Sequence, residues 1–136
     1  MDKDVIKSKI ESLIRCINRI NEKKPESVEI LRKDLDIQDI ISINIERAVQ
    51  LSVDIGSHIL ADYDVQTPKT MSNIFVMLAE KEIVDNVLAN KLAKAVGFRN
   101  IAVHSYQTIN WDTVFRIITT EIEDFKQFIK EIMKLM

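Results

Sequence analysis

The 136-residue sequence contains few of the residues that interrupt regular structure. It has two glycines and two prolines, far below their average share in proteins. Folds built from many short strands and tight turns need these residues, as do collagen-like repeats and Pro/Gly-rich disordered segments. Their scarcity argues against those classes and favours a chain made of long helices.

Cysteine is equally scarce, since Cys16 is the sole thiol. A single cysteine excludes an intramolecular disulfide framework and a zinc site built from several cysteines, and it is compatible with the reducing cytoplasm in which we expect the protein to act. The N-terminal residues MDKDVIKSKI alternate charged and apolar residues without an uninterrupted apolar run. We therefore expect neither a signal peptide nor a membrane span there.

A strong positive charge is absent as well. Nineteen Lys and Arg residues against 21 Asp and Glu residues give a formal net charge of -2, so no global positive field is available to capture nucleic acid. Any contact with nucleic acid must be local. Lys91, Lys94 and Arg116 are candidates for such a contact, although charged positions more often mark a solvated helix face.

Hydrophobic residues make up 46% of the chain and recur every three or four positions, which is the period of amphipathic α-helices. The pattern predicts long helices over residues 3–21 and about 36–61, with a short helical stretch at residues 27–33 between them. After a proline-containing loop, Thr70 is suited to cap a short helix. The predicted fold is an all-α antiparallel bundle of four to five helices, in a single domain of residues 1–136.

The C-terminal half adds two further predicted helices. One runs over residues 84–96 and ends at Gly97, the position where a left-handed C-terminal residue is commonest. Asn110 can cap the last helix. The predicted buried stripe of that helix is Val114, Phe115, Ile118, Ile122, Phe125, Ile129, Ile132 and Met133. Gly56 is expected to mark close helix packing, and an apolar face left over would form a homodimer interface.

The link predicted between these helices, residues 98–106, combines a permanent cation with an imidazole. Arg99 can grip a phosphate through two hydrogen bonds, and His104 can exchange a proton near neutral pH. On a regular helix the two would lie about 140° apart, so a broken helix or a second subunit must bring them together. From spacing alone, a packing histidine and a carbonyl-capping arginine are the commoner interpretation.

Residues 99–106, RNIAVHSY, resemble the R-x4-H-x-Y motif of HEPN-domain ribonuclease toxins of the HepT type. The segments IERAVQLSVDIGSHIL and MSNIFVMLAEKEIV look like the corresponding parts of such proteins. The resemblance implies a homodimeric HEPN-like bundle that cleaves RNA without a metal or other cofactor. It also implies a partner, a minimal nucleotidyltransferase antitoxin of the MntA type.

The same resemblance implies roles for four residues. Arg99 and His104 correspond to the catalytic pair, and Asn100 supports the site. Tyr106 matches the tyrosine that accepts AMP units from ATP through the antitoxin, which silences the nuclease. Because the attacking group would be a ribose 2′-OH taken up by a general base, we expect DNA to be inert.

Two other functions stay open on the sequence. Related HEPN domains serve as non-catalytic nucleotide- or substrate-binding subunits beside nucleotidyltransferases, and the acidic balance slightly favours that alternative. The second is a purely structural helical protein, which would give the polar residues of the link no function.

Three weaker candidates lie elsewhere in the sequence. Asp54 and His58 are spaced to form a hydrogen-bonded pair on one helix, for which a structural role is favoured. Asp62 and Asp64 could bind a metal, but they have no third ligand at helical spacing. Cys16 is expected to be a small residue at the core or its rim.

Overall fold

The computed structural model describes the backbone of residues 1–104 and 109–136, and the side chains of all of these except residues 100–104. The helices are α1 (Lys3–Lys23), α2 (Val28–Lys33), α3 (Leu35–Leu60), α4 (Met71–Glu80), α5 (Asn86–His104), α6 (Trp111–Arg116) and α7 (Ile122–Met133). A π-helical turn, Ile117–Glu121, joins α6 directly to α7. The described residues contain no strand, and the predicted all-α bundle is confirmed. None of the helices in these ranges is long and apolar enough to cross a bilayer.

Polar side chains fix the starts of the helices. The Asp2 carboxylate accepts hydrogen bonds from the backbone N–H groups of Asp4 and Val5 at 3.1 and 3.2 Å. Both predicted caps are confirmed: Thr70 Oγ1 accepts from the Asn73 N–H at 3.1 Å, and Asn110 caps the first turn of α6 in the same way. Each such cap satisfies an amide that has no partner within its helix.

The core lies where α1, α3, α4, α5 and α7 face one another. Five of the apolar positions of α1 that recur every three or four residues are buried, as predicted: Ile6, Ile10, Leu13, Ile17 and Ile20. The same pattern includes Val5 and Ile14, but Val5 is only partly buried and Ile14 is 40% exposed. Phe75 of α4 meets Phe128 of α7 edge to face, with 5.9 Å between ring centroids, a favoured geometry for aromatic pairs. This contact ties the short helix to the C-terminal one.

Gly56 sets the separation of α3 and α4, which confirms the prediction of close packing. A Cβ atom at this position would lie 2.6 Å from Ile74 Cγ2 and 3.1 Å from Leu78 Cδ1. Both distances are shorter than the optimal separation of two nonbonded carbon atoms. The missing side chain therefore lets the two helices approach.

The predicted end of the fourth helix at Gly97 is wrong. Helix α5 begins at Asn86 and continues through Gly97 to His104, and Gly97 does not adopt a positive φ. Residues 98–104, expected to form a link, are therefore helical. A glycine inside a helix costs only about 1 kcal/mol relative to alanine, and burial of Val96 and Phe98 on either side of it offsets that cost.

The last helix is not continuous, because a π turn interrupts it at residues 117–121. Two threonines in the turn donate side-chain hydrogen bonds to carbonyls one turn earlier: Thr119 Oγ1 to Phe115 O at 2.7 Å and Thr120 Oγ1 to Arg116 O at 2.8 Å. Such bonds compete with the backbone ladder, and a wider turn changes the register of the helix that follows.

The apolar stripes of the two C-terminal helices differ from the prediction at several positions. Ile117 is buried although the pattern did not include it, and Phe115 and Ile129 are only partly buried. Phe128 is fully buried although the pattern did not include it, whereas Met133, in the last turn of α7, is 50% exposed. Phe128 lies three residues after Phe125 and four before Ile132, on the same face of α7. The apolar pattern of the predicted helix 84–96 also includes Val87, but this residue is 64% exposed. It lies in the first turn of α5, about 100° around the axis from the buried Leu88.

Candidate functional site

Helix α5 places Arg99 against the start of α4. The guanidinium is partly buried, and its Nη1 lies 4.0 Å from the Sδ atom of Met71. Its Nε is fully buried and meets no hydrogen-bond acceptor among the described residues. Since a thioether is a weak acceptor, Arg99 retains donors that its described surroundings do not use. Because the guanidinium is only partly buried, donors other than Nε can reach a phosphate.

Contacts between α4 and α5 hold this part of α5 in place. The Ser72 hydroxyl, one residue after Met71, is 3.5 Å from the Ala93 carbonyl to which it donates. Phe98, adjacent to Arg99, is 7% exposed. The segment of α5 that leads to Arg99 therefore contacts both α4 and the core.

Arg99 and His104 lie on one helix, which decides between two of the sequence-based options. The α-helix is unbroken between them, so five residues at 100° each place them about 140° apart around the axis. A broken helix does not bring them together within one chain. The side chains of Asn100 and His104 are not described, and Tyr106 lies outside the described residues.

The three cations predicted to contact RNA lie along one groove. Lys91 and Lys94 of α5 and Arg116 of α6 line a cavity of about 340 Å³ between α5 and the run formed by α6, the π turn and α7. We call this cavity the α5–α7 groove. Its apolar lining includes the buried side chains Leu92, Phe98, Ile117 and Phe125.

Two carboxylates partly compensate these cations. Lys91 Nζ is 3.7 Å from Asp124 Oδ1, and Arg116 Nε is 3.9 Å from Glu121 Oε2. Burial raises the pKa of the Asp124 carboxyl above its ordinary value, while Lys91 acts in the opposite direction. Lys94 makes no ion pair with any described residue, so it is the least compensated of the three cations.

A second cationic groove, between α1 and α3, was not predicted from the sequence. Arg15, Arg19 and Arg47 line a cavity of about 600 Å³ together with Cys16 and Asn44. Arg15 donates to Ser12 Oγ at 2.8 Å, whereas the exposed Arg47 has no ion-pair partner among the described residues. The spacing of Arg15 and Arg19, four residues apart on a predicted helix, was the signal available in the sequence.

The weaker candidates have structural surroundings. Asp54 accepts from Gln50 Nε2 at 3.0 Å and lies 3.5 Å from Lys9 Nζ on α1, so its described partners do not include His58. Asp62 pairs with the N-terminal ammonium group. The described part of the chain contains no cluster of three His, Cys, Asp or Glu side chains that could hold a metal.

Cys16 is a buried core residue, as predicted. It is 7% exposed, and burial raises the pKa of its thiol above the ordinary value, against smaller opposite effects of Arg47 and Arg15. A protonated, buried thiol is a poor nucleophile.

Comparison with known proteins agrees with this architecture. The family of ribonuclease HepT-like proteins matches residues 6–132. The mRNA nuclease HepT of Shewanella oneidensis is 35% identical over 126 residues, which cover 93% of this chain and 94% of that protein. The tRNA nuclease HepT of Aphanizomenon flos-aquae is 23% identical over 128 residues, 94% of this chain and 87% of that protein.

A solved structure shows the same fold. The tri-AMPylated HEPN toxin of Shewanella oneidensis, in complex with its MNT antitoxin, superposes with a TM-score of 0.90 at 33% identity over the full length of both chains. The helical bundle with an arginine held near the end of α5 is therefore a HEPN-type domain. More specifically, the chain belongs to the ribonuclease HepT-like family.

Proposed function

We propose that this chain, acting as a single domain of residues 1–136 in a homodimer, is a ribonuclease toxin whose catalytic residues are Arg99 and His104. The observation that carries the proposal is the partly buried Arg99 guanidinium, whose Nε has no acceptor among the described residues. It lies on the same helix as His104, in a chain of the HepT-like family. A free cation and an imidazole are the minimum that metal-independent cleavage of RNA requires.

The reaction follows from the chemistry of these two side chains. His104 acts as the general base and takes the proton of a ribose 2′-OH, whose oxygen attacks the adjacent phosphorus. The bond from phosphorus to the 5′-oxygen breaks, leaving a 2′,3′-cyclic phosphate and a 5′-OH end. Arg99 stabilises the charge that builds on the phosphoryl oxygens, and Asn100 supports the site. No step needs a metal ion, and DNA lacks the attacking hydroxyl.

A second copy of the chain completes the site. Arg99 and His104 lie about 140° apart around an unbroken helix, so one helix does not present both to the same phosphate. In a two-fold dimer with the end of α5 near the axis, the residues of both copies converge on one cleft. His104 of the partner subunit is then the acid that protonates the leaving 5′-oxygen.

RNA also contacts the cations beside this cleft. Lys91, Lys94 and Arg116 line one groove, and their charge supplies the local attraction that an acidic chain lacks overall. Phosphate contacts of this kind position the strand without reading its sequence.

Regulation is proposed to act through Tyr106. The Shewanella oneidensis relative is tri-AMPylated and bound to an MNT antitoxin, and we propose that an MntA-type nucleotidyltransferase transfers AMP from ATP to Tyr106 here. The transfer forms a bond between the tyrosine oxygen and the α-phosphorus and releases pyrophosphate. An added adenylate is anionic and bulky, so it would occupy the RNA path and pair with Arg99.

Intact-mass measurement after incubation with the antitoxin and ATP tests the modification. We expect additions of the mass of AMP on the wild-type chain and none on Tyr106→Phe. Additions that persist in Tyr106→Phe would place the acceptor elsewhere.

Cleavage of RNA in the presence of EDTA tests the nuclease. Purified protein should cut RNA into fragments with 2′,3′-cyclic phosphate ends, and His104→Ala should lower the rate by on the order of 10²- to 10⁴-fold, the usual contribution of a general base. His58→Ala is the matched control because it removes the only other histidine. Cleavage that EDTA abolishes, or that survives in His104→Ala, would contradict the mechanism.

The competing function is a non-catalytic, nucleotide-binding subunit beside a nucleotidyltransferase. The net charge of -2 favours it, because nucleases usually present a basic surface. RNA or nucleotide binding without any cleavage by the wild type would support this alternative.

A further inference from the structure

We propose that the α5–α7 groove is a binding subsite for one nucleotide, with the base on the apolar lining and the phosphate at Lys94. The inference rests on the proposed function, because it assigns the groove to a nucleotide beside the proposed cleavage site. Two sources supply this chemistry: a nucleotide of the RNA substrate and an adenylate attached to the protein.

The size and lining of the groove match a nucleobase. Its volume of about 340 Å³ falls within the roughly 300–1,000 Å³ of small-molecule sites. Phe98 and Phe125 belong to the apolar wall of this lining and are 7% and 2% exposed, so a base would lie against this wall through apolar contact. An apolar lining with a charged rim fits an amphipathic ligand with a flat apolar part and an anionic part.

The cations on the rim of the groove are available to bind a phosphate. Lys94 has no ion-pair partner among the described residues. The pairs made by Lys91 and Arg116 are long, at 3.7 and 3.9 Å, and the two cations are 53% and 63% exposed. The Arg116–Glu121 pair is exposed on both sides and contributes little, and the Lys91–Asp124 pair is long, so an incoming phosphate can become a partner of either cation.

Gly97 is the feature of the groove that the fold does not explain. A Cβ atom there would meet nothing within 4 Å, and the backbone does not adopt a positive φ. Neither packing nor conformation requires glycine, although it lowers helix stability by about 1 kcal/mol relative to alanine. Because Gly97 has no side chain, the wall of the groove is open at this position.

Helix geometry connects that open wall with the proposed catalytic histidine. Gly97 precedes His104 by seven residues, which places the two positions on the same face of α5, about 10 Å apart along the axis. A nucleotide bound in the groove would therefore be close, along the same RNA strand, to the phosphate that is cleaved.

Asp124 gives the groove a means of choosing among bases. Its side chain is 16% exposed, and Oδ1 engages Lys91 only at 3.7 Å. A carboxylate accepts from several donors at once. Adenine, cytosine and guanine each carry an exocyclic amino group with two N–H donors, whereas uracil offers only its ring N3–H. We therefore expect the groove to favour amino-bearing bases over uracil.

Calorimetric titration of the four ribonucleoside 5′-monophosphates into the His104→Ala dimer tests the assignment without cleavage. AMP, CMP and GMP should bind more tightly than UMP. Lys94→Ala should weaken all four by about tenfold, the effect of losing one charge-assisted hydrogen bond. Asp124→Asn should reduce the preference over UMP, and Gly97→Leu should block binding. Lys130→Ala, an equal loss of charge on an exposed position of α7, is the control and should bind as the parent does.

Two further measurements distinguish a nucleotide of the RNA substrate from an adenylate attached to the protein. A 2′-O-methyl RNA oligonucleotide that displaces AMP from the unmodified protein assigns the groove to the substrate strand. Loss of free AMP binding after AMPylation, without such displacement, assigns it to the attached adenylate.

Two results would overturn the proposal, and a third separates it from the proposed function. Affinities that are unchanged in Lys94→Ala and in Gly97→Leu would place the nucleotide elsewhere. Absence of nucleotide binding, with Gly97→Leu shifting the dimer to monomer in size-exclusion chromatography, would show that a second copy covers the groove. Nucleotide binding in a wild type that never cuts RNA would leave the subsite standing while the nuclease proposal fails.

Discussion

The two glycines of the chain should respond in opposite ways to the same substitution, although both lie inside helices. At Gly56 an added methyl group would lie 2.6 Å from Ile74 Cγ2 and 3.1 Å from Leu78 Cδ1. Ile74 is 5% exposed, and its methyl branch cannot move away without rotating a stiff χ1 angle. At Gly97 the same methyl group would meet nothing within 4 Å.

The magnitudes follow from two opposing effects. Alanine stabilises a helix interior by about 1 kcal/mol relative to glycine, whereas an overpacked core loses roughly 1–3 kcal/mol. Gly97→Ala shows only the gain, so its free energy of unfolding should rise by up to about 1 kcal/mol. Gly56→Ala shows both effects. Because the nearest atom belongs to a branched, buried side chain, we expect a net loss of about 1–2 kcal/mol.

Thermal and urea unfolding of the wild type and both variants provide the assay. For 136 residues, 1 kcal/mol corresponds to about 3–4 °C in Tm. A gain of about 1 kcal/mol in one variant and a loss of about 1–2 kcal/mol in the other therefore separate their Tm values by roughly 6–12 °C. An equal shift of both variants in the same direction would refute the reasoning, since helix propensity alone would then dominate and the close approach of α3 to α4 would have no energetic consequence.

Three further predictions concern single side chains. Cys16 should react with a thiol reagent at pH 7–8 much more slowly in the folded protein than in urea, because it is buried with a raised pKa; equal rates would contradict this. Asn110→Ala should cost about 1 kcal/mol in urea unfolding by removing the cap of α6, whereas an unchanged midpoint would show that the cap contributes nothing. Folding raises the pKa of Asp124, chiefly through burial, so the folded protein favours the protonated carboxyl. The stability of the wild type is therefore highest, as far as Asp124 is concerned, below the unfolded pKa of this group, and it falls as pH rises through the folded pKa. Asp124→Asn should therefore gain stability relative to wild type between pH 3 and pH 7, and a relative loss over that interval would reverse the sign.

The long helices were predictable because their apolar spacing and caps agree. The stripe of α1, the caps Thr70 and Asn110 and the role of Gly56 all follow from local patterns that packing then reinforces. The extension of α5 past Gly97 was not predictable from the glycine itself, since a glycine at a C-cap and a glycine inside a helix look alike in a sequence. Burial of Phe98 decides between them, and burial is a tertiary property.

The candidate site was predictable in part. The motif indicated Arg99 directly, but only the structure shows that its Nε lacks a described acceptor. Lys91, Lys94 and Arg116 were chosen as separate charges, and their meeting in one groove depends on how α5 packs against the C-terminal helices. Arg47 was missed because its proximity to Arg15 and Arg19 arises from the contact between α1 and α3.

The central claim is that two copies of the chain share one reactive centre, and a mixing experiment tests it most directly. Wild type and His104→Ala are combined in equal amounts, unfolded and refolded together so that subunits pair at random, and RNA cleavage is measured in EDTA. If both histidines act on one phosphate, only one dimer in four is intact and activity should be about a quarter of that of the wild type at the same total concentration. Activity of one half, equal to that of the same proteins mixed without exchange, would show that each subunit works alone and would contradict the account.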